Sequence, residues 1–165
     1  MNITIRDAVE SDLLAILEIV NYSILHSTAN YNYEVQTIAF QTEWFKQKAA
    51  LNFPVIVAVE NNVVLGFGTY GTFREKIGYQ FTVEHSIYVA PNEIGKGIGK
   101  MLMIELITLA QKQKIHTMIG GIDASNTYSI DFHKKFGFTE CGIIRESGYK
   151  FDRWLDLQFM QLILK

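Results

Sequence analysis

The stretch Asn-Glu-Ile-Gly-Lys-Gly-Ile-Gly-Lys at residues 92–100 divides an apolar, β-rich run ending at Val89 from a run with helical apolar spacing that begins at Ile98. Pro91 stops the strand, and glycines at 95, 97 and 99 free the backbone to turn successive N–H groups toward one point. A helix starting there adds the positive end of its dipole, which makes the segment a candidate anion cradle. A glycine-rich strand-to-helix turn without a ligand is the plainer alternative. Spacing rejects two familiar cradles. A Walker A loop would need Ser or Thr at 101 and a glycine five positions before Gly99, where Met101 and Ile94 stand. A dinucleotide fingerprint would place its third glycine at 98, 100 or 102, which are Ile, Lys and Leu.

Around this loop the chain alternates its periods. Residues 3–6 read as a short strand, followed by a helix with an apolar face at Leu13, Ile16, Leu17, Val20 and Ile24. Thr37 to Leu51 reads as a second helix, ended by Pro54. Pro54–Val59 and Val63–Thr72 are β-rich runs joined by Asn61-Asn62, a pair that tolerates the positive φ of a tight hairpin, so they are expected to be antiparallel neighbours. A loop at 73–79 leads to a strand at Phe81–Val89. Beyond the glycine loop, Ile98, Leu102, Leu106, Leu109 and Ala110 keep helical spacing, Thr117–Ile122 reads as a strand, and Asn126 opens a helix closed by Gly137. Phe138–Ile144 and Trp154–Leu164 complete the pattern, with an excursion containing Gly148 between them. The order βααβββαβαββ predicts an α/β (α+β) fold: a mixed sheet of about seven strands flanked by about four helices. At 165 residues and 48% hydrophobic the chain suits one domain, 1–165.

Fifteen basic against seventeen acidic residues argue against a nucleic-acid partner or a general attraction to anionic membranes. Cys141 is the sole cysteine, and His26, His85, His116 and His133 lack metal-ligand spacing, so no metal is expected. No apolar run approaches the ~20 residues that span a bilayer. The opening Met-Asn-Ile-Thr-Ile-Arg has no signal-length apolar core, and a cytoplasmic location is expected.

The blocks Thr82-Val83-Glu84-His85-Ser86-Ile87-Tyr88-Val89, the loop 94–99, His116-Thr117-Met118, Gly121-Ile122-Asp123-Ala124-Ser125-Asn126 and Lys150-Phe151-Asp152-Arg153-Trp154-Leu155-Asp156-Leu157 come in one order. In that order the whole chain resembles the GCN5-related N-acetyltransferase superfamily, and within it the phosphinothricin and methionine-sulfone acetyltransferases. The resemblance implies acetyl-CoA as co-substrate and no metal. It implies a pyrophosphate cradle at Ile94, Gly95, Lys96, Gly97, Ile98, Gly99 and Lys100. Ile94 departs from the family's usual Gln or Arg, which predicts altered affinity rather than lost binding, since backbone N–H groups make most of the contacts. Backbone at Ser86, Ile87, Tyr88 and Val89 is implied to hold the pantetheine arm, with Asn126 and Ser129 contributing from the following helix.

Acetyl transfer to an amine needs a neutral nucleophile, donors for an oxyanion and a proton for the departing thiolate. Glu84 lies mid-strand among apolar and small residues, where partial desolvation raises a carboxylate's pKa and improves it as a base. The resemblance implies that this glutamate is the general base, directly or through water. Seven residues after Asn126, where many relatives carry a proton-donating tyrosine, stands His133, implied to be the general acid. The acceptor site is implied at Tyr31 and at Arg74, Glu75, Lys76 and Tyr79, with Arg74 and Lys76 as charge-assisted donors to an acceptor's anionic or sulfone oxygens. Trp154 and Asp156 read as core or dimer structure.

The expected function is direct, acetyl-CoA-dependent acetylation of the α-amino group of a small amino-acid analogue such as phosphinothricin, methionine sulfoximine or methionine sulfone. Other amine acceptors, namely a protein N-terminus, a polyamine or an aminoglycoside, keep the same cofactor, and a non-catalytic acyl-CoA sensor is a further alternative. The resemblance implies a homodimer, with Arg145 to Trp154 as the expected interface.

Overall fold

The computed structural model describes residues 2–165. Its strands are β1 (Thr4–Asp7), β2 (Val55–Glu60), β3 (Val63–Thr72), β4 (Thr82–Val89), β5 (Thr117–Asp123), β6 (Thr139–Lys150) and β7 (Arg153–Ile163). Its helices are α1 (Leu13–His26), α2 (Ile38–Ala50), α3 (Ile98–Lys112) and α4 (Thr127–Lys134). The seven strands form one mixed sheet in the order β1-β2-β3-β4-β5-β7-β6. The β4–β5 contact is parallel and the other neighbours are antiparallel.

Local chemistry explains the boundaries. Thr37 caps α2 by accepting from the Phe40 amide, and Asn126 caps α4 by accepting from Ser129. Asn61 and Asn62 both take positive φ between β2 and β3, as their sequence predicts. Gly137, at φ +88°, follows α4 in a left-handed turn.

Two cores sandwich the sheet. One face packs Ile98, Leu102, Met103 and Leu106 of α3 on Ile56, Tyr70, Val83 and Met118. The other packs Leu13, Ile16, Val20 and Ile24 of α1 on Val55, Val57 and Phe67. Helices thus cover both faces of the sheet's middle, and the spacing of apolar residues in α1 and α3 selects the stripe each buries.

Two expectations need correction. The region around Gly148 is no excursion: β6 runs on to Lys150, its register shifting between Ile144 and Gly148, and Phe151-Asp152 makes the hairpin turn with both φ positive. The Glu146 amide donates to Asp156 Oδ1 at 2.8 Å, which holds the bulge while pairing resumes at Gly148↔Leu155. Of the two readings of Trp154, core or dimer structure, exposure removes the first: it is 60% exposed and lies edge-on to Tyr149.

Candidate active site

Strands β4 and β5 pair over three residues only, Thr82↔Thr117, Val83↔Met118 and Glu84↔Ile119, and then part. Past that point β4 keeps its partner β3 to Val89, and β5 keeps β7 to Asp123. The Ala90 amide bonds to Leu65 O at 2.8 Å, so by the alternation of an antiparallel ladder the peptide groups of Tyr88 and Ser86 also face β3. Those of Ile87 and Val89 face the opening, where no strand meets them. An extended ligand arm can take the place of a strand there. Ser86 and Tyr88 turn their side chains to the α1 face, where Tyr88 stacks on Phe67, while Ile87 and Val89 pack toward α3.

The glycine loop follows β4, and two of its three glycines take a left-handed backbone, whereas Gly99 lies within α3. Gly95 and Gly97 take φ of +86° and +83°, and a Cβ on either would meet nothing within 4 Å. The backbone angle, not packing, calls for glycine at both. Gly97 is the N-cap of α3, and the first helical bond runs from the Met101 amide to Gly97 O. The amides of Ile98, Gly99 and Lys100 therefore have no intrahelical acceptor. Ile98 offers only its backbone, since its side chain is core. Ile94 is 64% exposed, and Lys100 is exposed. Lys96 is spent on Glu93 at 2.9 Å, a pairing that its three-residue spacing allows.

The β5 residues just past the split are Gly120 and Gly121, and opposite faces of the sheet use them. A Cβ on Gly121 would stand 2.9 Å from Glu84 Oε1, so the carboxylate lies directly over this glycine on the α1 face. Burial raises the Glu84 pKa above the ordinary carboxylate value. A Cβ on Gly120 would stand 3.1 Å from Nε2 of both His85 and His133, on the α4 face. The split is bracketed by a half-buried carboxylate on one side and two imidazoles on the other.

His133 is not a surface residue of α4; it is 5% exposed, and its Nε2 lies 3.0 Å from His85 Nε2. Its Nδ1 lies 2.6 Å from Ser129 O, an atom that can only accept, so Nδ1 carries the hydrogen. In the neutral ring Nε2 is then an acceptor, filled by Nε2–H of His85, and His85 Nδ1 is left a buried acceptor without a partner among the described residues. Desolvation, with the neighbouring imidazole adding to it, takes the His85 pKa down to about 3; burial also lowers that of His133. Both nitrogens of His133 are engaged within the protein, and neither presents an N–H toward the split, contrary to the expectation of a free general acid.

The acceptor candidates border the Glu84 face. Phe73 meets Phe159 edge-on and Tyr79 likewise, and Arg74 stacks on Phe73. Glu75, Lys76 and Tyr79 are exposed along the same loop. Tyr31 comes from the segment after α1 and lies against Gly148. Leu157 and Phe159 floor the space beside Gly121. The sequence reading missed His85, Gly120, Leu157, Phe159 and Arg153. The signals available were the parity of β5 and β7 and the adjacency of His85 to Glu84. Among the described residues, no group of three or more His, Cys, Asp or Glu is placed to hold a metal ion.

A sheet split beside a glycine-capped helix, with a carboxylate over the split, is the arrangement that the resemblance to acetyl-CoA-dependent transferases implies. The chain belongs to the acetyltransferase (GNAT) family, whose model matches residues 20–138. It is 42% identical to the L-methionine sulfoximine/L-methionine sulfone acetyltransferase of Salmonella typhimurium, over 98% of this chain and 94% of that one. An N-acetyltransferase from Staphylococcus aureus Mu50 superposes with a TM-score of 0.98 at 47% identity, each chain covered in full. A phosphinothricin acetyltransferase from Sinorhizobium meliloti, solved in complex with acetyl-CoA, superposes with a TM-score of 0.96 at 36% identity over 99% of this chain and 89% of that one.

Proposed function

We propose that this chain transfers the acetyl group of acetyl-CoA directly to the α-amino group of a small amino-acid analogue of the methionine sulfone, methionine sulfoximine or phosphinothricin kind. The observation that carries this reading is the split itself, with Glu84 over Gly121 and unpaired backbone at Ile87 and Val89. Acetyl-CoA supplies an activated thioester. Amides of Ile98, Gly99 and Lys100 suit its pyrophosphate, and the open edge of β4 suits its pantetheine arm. Asn126 Oδ1 caps α4 and the Ser129 carbonyl holds His133, while the Asn126 amide nitrogen and the Ser129 hydroxyl stay available to the pantetheine arm.

Glu84, its pKa raised by burial, takes a proton from the acceptor's ammonium and leaves a neutral amine to attack. Such a base contributes typically ~10² to 10⁴ in rate. Backbone N–H groups along the free edge of β4 steady the oxyanion. A thiol pKa near ~8.5 lets the leaving group depart as thiolate and take its proton from solvent, so a free imidazole N–H is not required. His133 and His85 act by fixing α4 against β4 and β5. Direct transfer is supported by the location of Cys141, the sole thiol, which is exposed on β6 with β7 and β5 between it and β4.

The same reading includes a homodimer through β6, nine consecutive residues of which, Thr139–Ser147, are exposed, Ile143 and Ile144 among them. It also places the enzyme in the cytoplasm, since a single free cysteine suits a reducing compartment. No helix among the described residues is long and apolar enough to cross a membrane. The test is thiol release from acetyl-CoA with methionine sulfone, methionine sulfoximine, phosphinothricin, spermidine and an N-terminal peptide as acceptors. Saturable turnover confined to the amino-acid analogues is expected; turnover confined to the peptide or spermidine would overturn the assignment.

A further inference from the structure

The Glu84 face continues past Gly121. Two residues on, roughly 7 Å along the strand, β5 presents Asp123 to the same side. Its register partner is Leu157, and that face of β7 carries Leu155 and then Arg153. Two cations stand at this end of the site, and they are differently occupied. Lys150 is 4% exposed, and its ammonium donates to the carbonyls of Ile24, Ser27 and Asn30, so all three hydrogens are used. Arg153 makes one contact in this region, to Asp123 Oδ2 at 3.4 Å, which is long for a charge-assisted bond. Asp123 does not depend on it: Thr28 Oγ1 donates to Oδ2 at 2.6 Å, and the amide and hydroxyl of Ser125 donate to Oδ1 at 3.0 and 2.8 Å. Most of the five guanidinium N–H groups are therefore uncommitted.

Tyr31 supplies an independent observation. Its ring lies so close to Gly148 that a Cβ there would stand 2.5 Å from it, and its buried hydroxyl has no hydrogen-bond partner among the described residues. Asp123, Arg153 and Asp156 are all near enough to perturb that phenol. Asp156 turns its Oδ1 away to the Glu146 amide. A buried hydroxyl without a partner beside an underused guanidinium is a site short of one anionic acceptor.

We infer that Arg153, with the Tyr31 hydroxyl beside it, binds the carboxylate of the acceptor amino acid. The inference rests on the acetyltransferase reading above and adds which residue selects an α-amino acid. An amine at Glu84 and a carboxylate one carbon away, each extended by a hydrogen bond, reach from Gly121 toward Asp123. The acceptor's side chain then points the other way, to Phe159, Phe73 and Arg74, and Arg74 serves the sulfone or phosphinate oxygens instead of the carboxylate.

Methionine sulfone and its primary amide share the amine and the sulfone and differ at the carboxylate, so together they test this. Arg153→Gln is expected to raise KM for the acid roughly ten- to a hundredfold, the loss of one charge-assisted contact, and to shift KM for the amide by less than about twofold. Arg153→Lys should fall between, and Tyr31→Phe should raise KM for the acid alone, with KM for acetyl-CoA constant in all three. Equal rises for acid and amide, or no rise for the acid, would overturn the inference while leaving the acetyltransferase reading intact. Failure of the unaltered enzyme to acetylate either compound would overturn both.

Discussion

The His85–His133 pair makes stability depend on pH in a calculable direction. Both imidazoles are held neutral by burial, His85 with a folded pKa of about 3 against the usual value near 6.5. In the unfolded chain each binds a proton below about pH 6.5, so the unfolded state gains protons first as pH falls. The contribution of the pair is complete above that pH and is lost progressively from about 6.5 down toward 3. Between pH 7 and pH 5, one histidine kept neutral in the fold costs about 2 kcal/mol, from 1.36 kcal/mol per pKa unit. Other groups titrate in the same window. Glu84, with its raised pKa, works in the opposite sense, and Asp12 and Asp123, with lowered values, lose their contribution at lower pH. A comparison therefore isolates the pair: urea denaturation of the parent and of His85→Gln/His133→Gln at pH 7 and pH 5. The parent should lose at least about 2 kcal/mol more than the double variant over that interval, the share of His85 alone, with His133 adding to it in the same direction. Equal losses, or a parent more stable at pH 5, would show that the histidines are not buried neutral partners.

Lys150→Met removes three hydrogen bonds to the backbone after α1 while keeping the stem's bulk, and should cost about 3 kcal/mol in thermal or urea unfolding because three carbonyls lose their donor. A loss under about 0.5 kcal/mol would mean that water serves those carbonyls equally well. Gly97→Ala puts a side chain at φ +83°, a strain of roughly 1–2 kcal/mol, and should raise KM for acetyl-CoA several-fold while leaving KM for methionine sulfone alone. The reverse pattern would remove the loop from the cofactor site.

Much of the element order was legible because punctuation residues stand at the boundaries: Pro54, Asn61-Asn62, Pro91, Gly95, Gly97 and Gly137 each end or turn an element. Glu84 and the glycine loop were legible for the same reason, since their chemistry is local. The partial pairing of β4 with β5 was not. Thr82–Val89 has one uniform β pattern, and nothing in it shows that a parallel neighbour accompanies only its first three residues. Gly148 suggests a loop by composition, yet it is a strand residue whose missing Cβ makes room for Tyr31, more than a hundred positions earlier. The environment of His133 followed the same rule. A seven-residue offset from Asn126 located it on the helix but could not reveal His85, 48 residues away, as its partner. Arg153 entered the sequence reading only as part of the matched block and of the expected interface, because the occupancy of Asp123 by Thr28 and Ser125 exists only in the folded chain.

The central claim is that Glu84, half-buried over Gly121 at the split, is the base for direct acetylation of an α-amine. Its most direct test is the pH dependence of kcat/KM for methionine sulfone in the parent and in Glu84→Gln, at saturating acetyl-CoA. The parent is expected to show an acidic limb above the ordinary carboxylate range, and the variant to lose that limb along with ~10² to 10⁴ of the rate while still binding acetyl-CoA. An unchanged rate and limb in Glu84→Gln would contradict the account.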